Sequence, residues 1–134
     1  MKTFITLLLV VVGCLISGCQ TQTTQKSEPK KEKRYKERHY QLRLCKEIDG
    51  IVEKVLPDKT RVDCLTSEYA VEVDFAKKWA ESVGQSLYYA KLTGKKPAVG
   101  LIVGESKGDQ RNLRRFRVLA REYHIKLFIL KKGE

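Results

Sequence analysis

Residues 97–103 read Pro-Ala-Val-Gly-Leu-Ile-Val, a run without one polar side chain. A strand that is apolar at both parities has no face to offer water, so it belongs inside a sheet that is covered on both sides. That run fits a buried strand, and the segments around it, read in order, make the domain α/β. Tyr40, Leu44 and Ile48 recur every four residues, with Cys45 beside them, and predict an amphipathic helix ending at Gly50. Residues 51–56 and 61–66 are β-prone runs around Pro57-Asp58-Lys59-Thr60, a good turn sequence, so the pair reads as a hairpin. Residues 69–75 alternate, with Val71, Val73 and Phe75 on one face and Glu72 and Asp74 on the other. A helix follows, with Phe75, Trp79, Val83 and Leu87 as its apolar line and Gly94 as its stop. After the apolar strand, 104–108 is a loop and Asp109 is the expected cap of a third helix. In that helix Leu113, Phe116, Leu119, Ala120 and Tyr123 are expected to face inward. Arg111, Arg114, Arg115, Arg117 and Arg121 then occupy the wetter side. Residues 125–130 form a closing strand, which makes the order α-β-β-β-α-β-α-β.

The N-terminus is organised differently. Met1-Lys2 is a short basic start, residues 4–16 are an apolar run, and the run closes on Leu15-Ile16-Ser17-Gly18-Cys19. The run is too short and too sharply ended for a lasting membrane span. This order resembles the bacterial lipoprotein signal and its lipobox. The resemblance implies that residues 1–18 are a signal peptide and that Cys19 carries a diacylglyceryl thioether. It places the chain in the bacterial cell envelope, lipid-anchored and facing the periplasm or the surface. Gln20 is not the usual inner-membrane retention residue, so the outer membrane is favoured where the host has two. Residues 19–36 are then a lipidated cysteine and a tether, with residues 37–134 as the ordered domain. The tether has almost no apolar residues and cannot offset the entropy of folding. It reads as a solvated spacer with a secondary affinity for anionic headgroups.

The formal net charge is +11, of which signal cleavage removes only Lys2. A basic balance favours acidic partners, namely DNA or another polyanion, anionic lipid or an acidic wall polymer, and does not choose among them. A protein partner is left unidentified. Of four cysteines, Cys45 and Cys64 remain for the mature domain. Export makes a disulfide the default, with a gain of about 3 kcal/mol in the chain-entropy model. Two free buried thiols and a zinc site are the alternatives. Zinc is disfavoured, because no C-x-x-C is present and His39 and His124 have no ligand-like spacing.

Three acids fall on consecutive expected strands: Asp63 on the second strand of the hairpin, then Glu72 and Asp74 on the next. Neighbouring strands lie about 5 Å apart, so acids at facing positions can share one divalent cation, and Glu53 on the first strand could join them. Such a cluster suits phosphodiester hydrolysis. Lys77 or Lys78 follows closely enough to meet developing charge, and Gln85 and Tyr89, four apart, share a helical face. The plainer reading is a solvated strand face whose acids pair with Arg61 or the C-terminal helix, with Tyr88 and Tyr89 as packing residues. The arginine row likewise reads as a solvated face that would also suit phosphate contacts. The 104–108 loop has no Walker-type spacing.

Asp63, then Glu72-Val73-Asp74, then Gln85-Ser86-Leu87-Tyr88-Tyr89, in this element order, resembles the PD-(D/E)xK restriction-endonuclease-like superfamily. The resemblance spans residues 38–130. It implies an αβββαβ core, here a mixed central sheet flanked by helices with an extra C-terminal helix and strand. It also implies Mg²⁺ or Mn²⁺ held by Asp63 and Glu72 with the Val73 carbonyl, and Gln85 and Tyr89 as a Q-x-x-x-Y motif. Two departures matter. Val62 stands where that family often has proline, and Asp74 occupies the lysine position, so a lysine would have to come from Lys77 or Lys78. Two functions are therefore expected: a nuclease-like module binding nucleic acid or an envelope partner without turnover, or a divalent-metal-dependent DNA endo- or exonuclease at the envelope.

Overall fold

The computed structural model describes residues 35–134, so the expected signal, Cys19 and the tether up to residue 34 lie outside the described residues. The elements are α1 (Glu37–Glu47), β1 (Ile51–Val55), β2 (Arg61–Leu65), β3 (Tyr69–Phe75), a 3₁₀ turn (Ala76–Lys78), α2 (Trp79–Thr93), β4 (Lys96–Val103), α3 (Lys107–Glu122) and β5 (Lys126–Lys131). They form an α/β fold with one five-stranded mixed sheet in the order β1-β2-β3-β4-β5. The pairs β1–β2 and β2–β3 are antiparallel, and β3–β4 and β4–β5 are parallel.

β4 is hydrogen-bonded to a neighbour on each side and covered on both faces, as an all-apolar strand has to be. Ala98 and Ile102 pack with Tyr40 and Leu44 of α1. Val99, Leu101 and Val103 pack with Leu113 and Phe116 of α3 and Val83 of α2. One face thus carries α1, and the other carries α2 and α3. Gly100 lets α1 approach β4 closely, because a Cβ there would lie 2.7 Å from Leu44 Cδ2. The described residues form three hydrophobic clusters.

The hairpin turn forms as its sequence suggests: Asp58 Oδ1 accepts from the backbone N–H and the hydroxyl of Thr60, at 3.1 and 2.7 Å. α2 stops at Gly94, which takes the left-handed conformation with φ 67°. Three local expectations change. Phe75 does not open the apolar line of α2; it ends β3 and meets Tyr40 edge-on, at 6.1 Å, on the α1 face. The cap of α3 is Ser106, whose Oγ accepts from Asp109 N at 3.0 Å. Asp109 turns its own carboxylate back to Gly104 N, a reciprocal arrangement of the capping-box kind. Tyr123 is half exposed rather than inward, because the helix ends there and the chain turns at His124 with φ 53°.

Cys45 on α1 and Cys64 on β2 stand at disulfide distance, with Sγ atoms 2.05 Å apart and Cα atoms 5.5 Å apart. The pair ties α1 to the sheet. Gly50 passes directly beside it, and a Cβ there would fall 2.2 Å from Cys64 Sγ. Replacing both cysteines by serine should lower unfolding free energy by about 3 kcal/mol, read as a fall in the urea midpoint of the non-reduced domain. An unchanged midpoint, or free thiols in protein taken from its native compartment, would contradict the bond.

Candidate functional site

β2 and β3 pair through Cys64↔Val71 and Leu65↔Ala70, and the next pair in that register is Asp63 opposite Glu72. There the ladder opens. Val73 N–H donates to the side chain of Asp63, Oδ2 at 2.8 Å, where a strand carbonyl would ordinarily accept. From α1, Gln41 Nε2 donates to both Oδ1 and the main-chain oxygen of Asp63, each at 3.1 Å. Asp63 is therefore held by β3 and α1 at once, immediately before the cysteine that anchors α1.

Glu72 and Asp74 project from β3 on the side away from Val71 and Val73, yet neither is solvated: they are 7% and 1% exposed. Asp74 Oδ1 accepts from Phe75 N at 3.0 Å and from Lys78 Nζ at 3.3 Å. Its Oδ2 is buried without a hydrogen-bond partner. Lys78 Nζ also lies 3.9 Å from Glu37 Oε2, at the start of α1.

These carboxyls resist ionising together. Burial pushes Asp63 up to about 6, with Asp74 and Glu53 adding to the rise and the Val73 N–H opposing it. Burial pushes Glu72 up to about 9, reinforced by the negative charges of Asp63, Asp74 and Glu37. Asp74 is raised by burial and then by Glu37 beside it, with Lys78 opposing. Burial alone would lower Lys78, but Asp74 holds its ammonium in the charged form and raises it overall.

On α2, Tyr89 packs into a small cluster with Leu56, Val62 and Ala70. Burial raises its hydroxyl, the charge of Glu72 raises it further, and a hydrogen bond with Gln85 opposes both. Gln85 keeps one buried oxygen, Oε1, without a partner. The two motif residues of α2 thus stand together, within electrostatic reach of Glu72. Tyr88 points elsewhere and donates to Asp58 in the hairpin turn at 2.6 Å.

Two of the expected site residues do not join. Glu53, at a positive φ of 52°, gives its carboxylate to Arg38 and Arg61, at 2.5 and 3.6 Å, and reaches Asp63 only through its charge. Lys77 lines a separate cleft with Tyr35, Lys36 and Phe75. Of the two lysines only Lys78 sits on the acids. Two participants were not singled out in the sequence, Glu37 and Gln41. Their signal was the four-residue spacing Glu37, Gln41, Cys45, which puts both on the helical line of the cysteine that faces β2.

Among the described residues no three His, Cys, Asp or Glu side chains stand together as a ready metal cage, so the expected set of Asp63, Glu72, Asp74 and Glu53 does not form, nor do the three strand acids without Glu53. The donor chemistry nevertheless fits a hard divalent cation. Mg²⁺ commonly takes one or two carboxylates and completes its shell with water, and the orphaned Asp74 Oδ2 is a buried acceptor with no protein donor. Comparison with protein-family models, characterised proteins and solved structures finds no match for this chain.

The raised carboxyls predict a direction of pH dependence. An unfolded Glu72 loses its proton near 4.5 and the folded one near 9. Between those values the folded state binds more protons, so stability falls as pH rises. Melting temperature should therefore drop from about pH 5 to about pH 9, and Glu72→Gln should flatten the curve and exceed the parent at the alkaline end. Mn²⁺ should recover part of the alkaline loss in the parent but not in Glu72→Gln. A parent melting curve indifferent to pH would remove this account.

Proposed function

We propose that this chain is an exported lipoprotein, held in the bacterial envelope by lipid on Cys19, whose domain hydrolyses phosphodiester bonds of nucleic acid with a divalent ion. What supports the reading is the electrostatic coupling of Glu72 to Asp63 and Asp74 beside the opening between β2 and β3, with Lys78 on Asp74. Glu72, pushed up to about 9, holds a proton there that a cation would displace. Asp63 and Glu72 would hold Mg²⁺ or Mn²⁺. When bound, such an ion supplies Lewis-acid polarisation of a phosphoryl oxygen and an acidified water.

The chain's own groups have separable tasks in this reading. Gln41 and Val73 N–H orient the Asp63 carboxylate. Lys78, kept charged by Asp74, would meet the negative charge that grows on the phosphoryl oxygens, the role the superfamily gives to a strand lysine. Gln85 and Tyr89 present a carboxamide and a hydroxyl beside Glu72 to position substrate. The envelope address, with the outer membrane favoured in a double-membraned host, rests on the lipobox resemblance and on Gln20.

A second reading, a nuclease-like module that binds nucleic acid or an envelope partner without turnover, is favoured by a different observation. Both carboxylate oxygens of Asp63 already accept hydrogen bonds, and Asp74 replaces the superfamily lysine. Residues 20–134, incubated with plasmid DNA and Mn²⁺ or Mg²⁺, decide between the two. Cleavage is expected, with Asp63→Ala and Glu72→Ala each abolishing it, Lys78→Ala reducing it by roughly a hundredfold, and Lys77→Ala leaving it intact. Intact plasmid under every metal condition would overturn the enzyme. Salt-sensitive retention of DNA in chelator would then leave the binding module standing.

A further inference from the structure

The outer face of α3 carries a concentration of charge that the proposed site does not use. Leu113, Phe116 and Ala120 turn inward, and Arg111, Arg114, Arg115, Arg117 and Arg121 are all exposed on the opposite side. Among the described residues the other three arginines each find an acid: Arg38 and Arg61 on Glu53, and Arg43 on Glu47. Among the described residues none of the α3 arginines has a carboxylate within ion-pair distance. Spacings of three and four residues put these like charges beside one another on the helix, an arrangement that opposes helix formation unless something external neutralises it.

The residue type is also selective. Five of the eight arginines between residues 35 and 134 stand on α3, which has a single lysine, whereas the rest of the domain relies mainly on lysine. A guanidinium offers a planar fork that matches a phosphate, and an ammonium does not. The ligand chemistry is therefore phosphate, repeated along a surface.

The chain's own connection favours one source of that phosphate. Tyr35 and Lys36, where the chain joins the described domain, line a half-open cleft of about 530 Å³ with Phe75, Lys77, Lys132 and Asp109 of the first turn of α3. The point of attachment and the arginine helix thus adjoin. Residues 26–34 immediately upstream add Lys26, Lys30, Lys31, Lys33 and Arg34 against Glu28 and Glu32. Within the arginine row Val118 is 64% exposed, and Tyr123 at the helix end is 50% exposed. An aliphatic and an aromatic side chain set among cations suit a headgroup layer, where tyrosine is favoured.

We propose that the outer face of α3 docks on an anionic phospholipid bilayer, so that the domain lies against the membrane rather than hanging free of it. The choice of a bilayer rests on the anchor reading of Cys19, which raises the local concentration of headgroups at this face. It also orients the molecule, since the arginine helix, and not the hairpin of β1 and β2, meets the lipid.

The test uses residues 20–134, without the lipidated cysteine, in co-sedimentation with phosphatidylcholine vesicles with and without phosphatidylglycerol. Binding is expected only with phosphatidylglycerol, with release at high salt. Arg114→Gln with Arg115→Gln and Arg121→Gln should weaken it by roughly tenfold or more. Glutamine keeps good helix propensity, so the melting curve should persist. Arg38→Gln with Arg61→Gln, a cation loss of comparable kind near β1, should bind as the parent does. No binding at low salt, or an equal loss in the control pair, would overturn the proposal. Stronger retention on a DNA duplex than on phosphatidylglycerol at equal salt, lost in the α3 variant, would also overturn it and assign the face to nucleic acid. Either failure leaves the anchor untouched, because lipid on Cys19 is read separately by mass spectrometry of the cellular protein.

Discussion

A single hydrogen bond organises the chemically interesting part of this molecule. Val73 N–H would ordinarily be satisfied by the neighbouring strand, and it is satisfied instead by the Asp63 carboxylate. A buried backbone donor needs an acceptor, so the side chain that supplies one is held in place as firmly as a ladder rung. The sheet can then part between β2 and β3 without leaving that donor orphaned. Through the opening, Gln41 of α1 reaches Asp63, and the charge of Glu37 reaches Glu72 and Asp74. Without that substitution the strand acids would be separated from α1 by an unbroken ladder.

The arrangement carries an electrostatic cost that the rest of the domain offsets. Two nearly hidden carboxyls beside a third part-buried one favour the protonated forms, and one acceptor, Asp74 Oδ2, has no donor at all. Lys78 relieves part of the strain. The Cys45–Cys64 pair holds α1 where Gln41 can reach, and Gly50 is the only side-chain-free residue type that lets the chain pass the sulfurs. Beneath this, β4 with its two covered faces is the rigid member. It fixes β3 through a parallel ladder from Tyr69↔Lys96 to Phe75↔Ile102. A cluster of acids that repel one another keeps its shape because the strand bearing two of them is locked along its length.

The two polar faces of the domain serve different physics. The acid cluster is small, shielded and made of groups that change protonation. The α3 face is broad, exposed and made of guanidiniums. The acids lie where burial opposes their ionisation, and the arginines lie where water solvates them.

Much of the architecture is local and was legible in the chain. Apolar residues at both parities made 97–103 a covered strand, four-residue recurrence marked α1, alternation marked β3, and Pro57-Asp58-Lys59-Thr60 closed the hairpin. The positions of Asp63, Glu72, Asp74, Gln85 and Tyr89 on their elements followed, because periodicity alone assigns a residue to a face. What needed the tertiary structure was every relation across elements. Lys77 and Lys78 are neighbours in the chain, but the 3₁₀ turn aims one at a cleft and the other at Asp74. Glu53 has the right strand and the wrong partners, since Arg38 and Arg61 close around it. Glu37 and Gln41 carry no mark of their own until the helix is set against the opening in the sheet. Sequence pattern reports the direction of a side chain relative to its own backbone; which buried charges meet, and so which are pushed to hold protons, is decided by how the backbones pack.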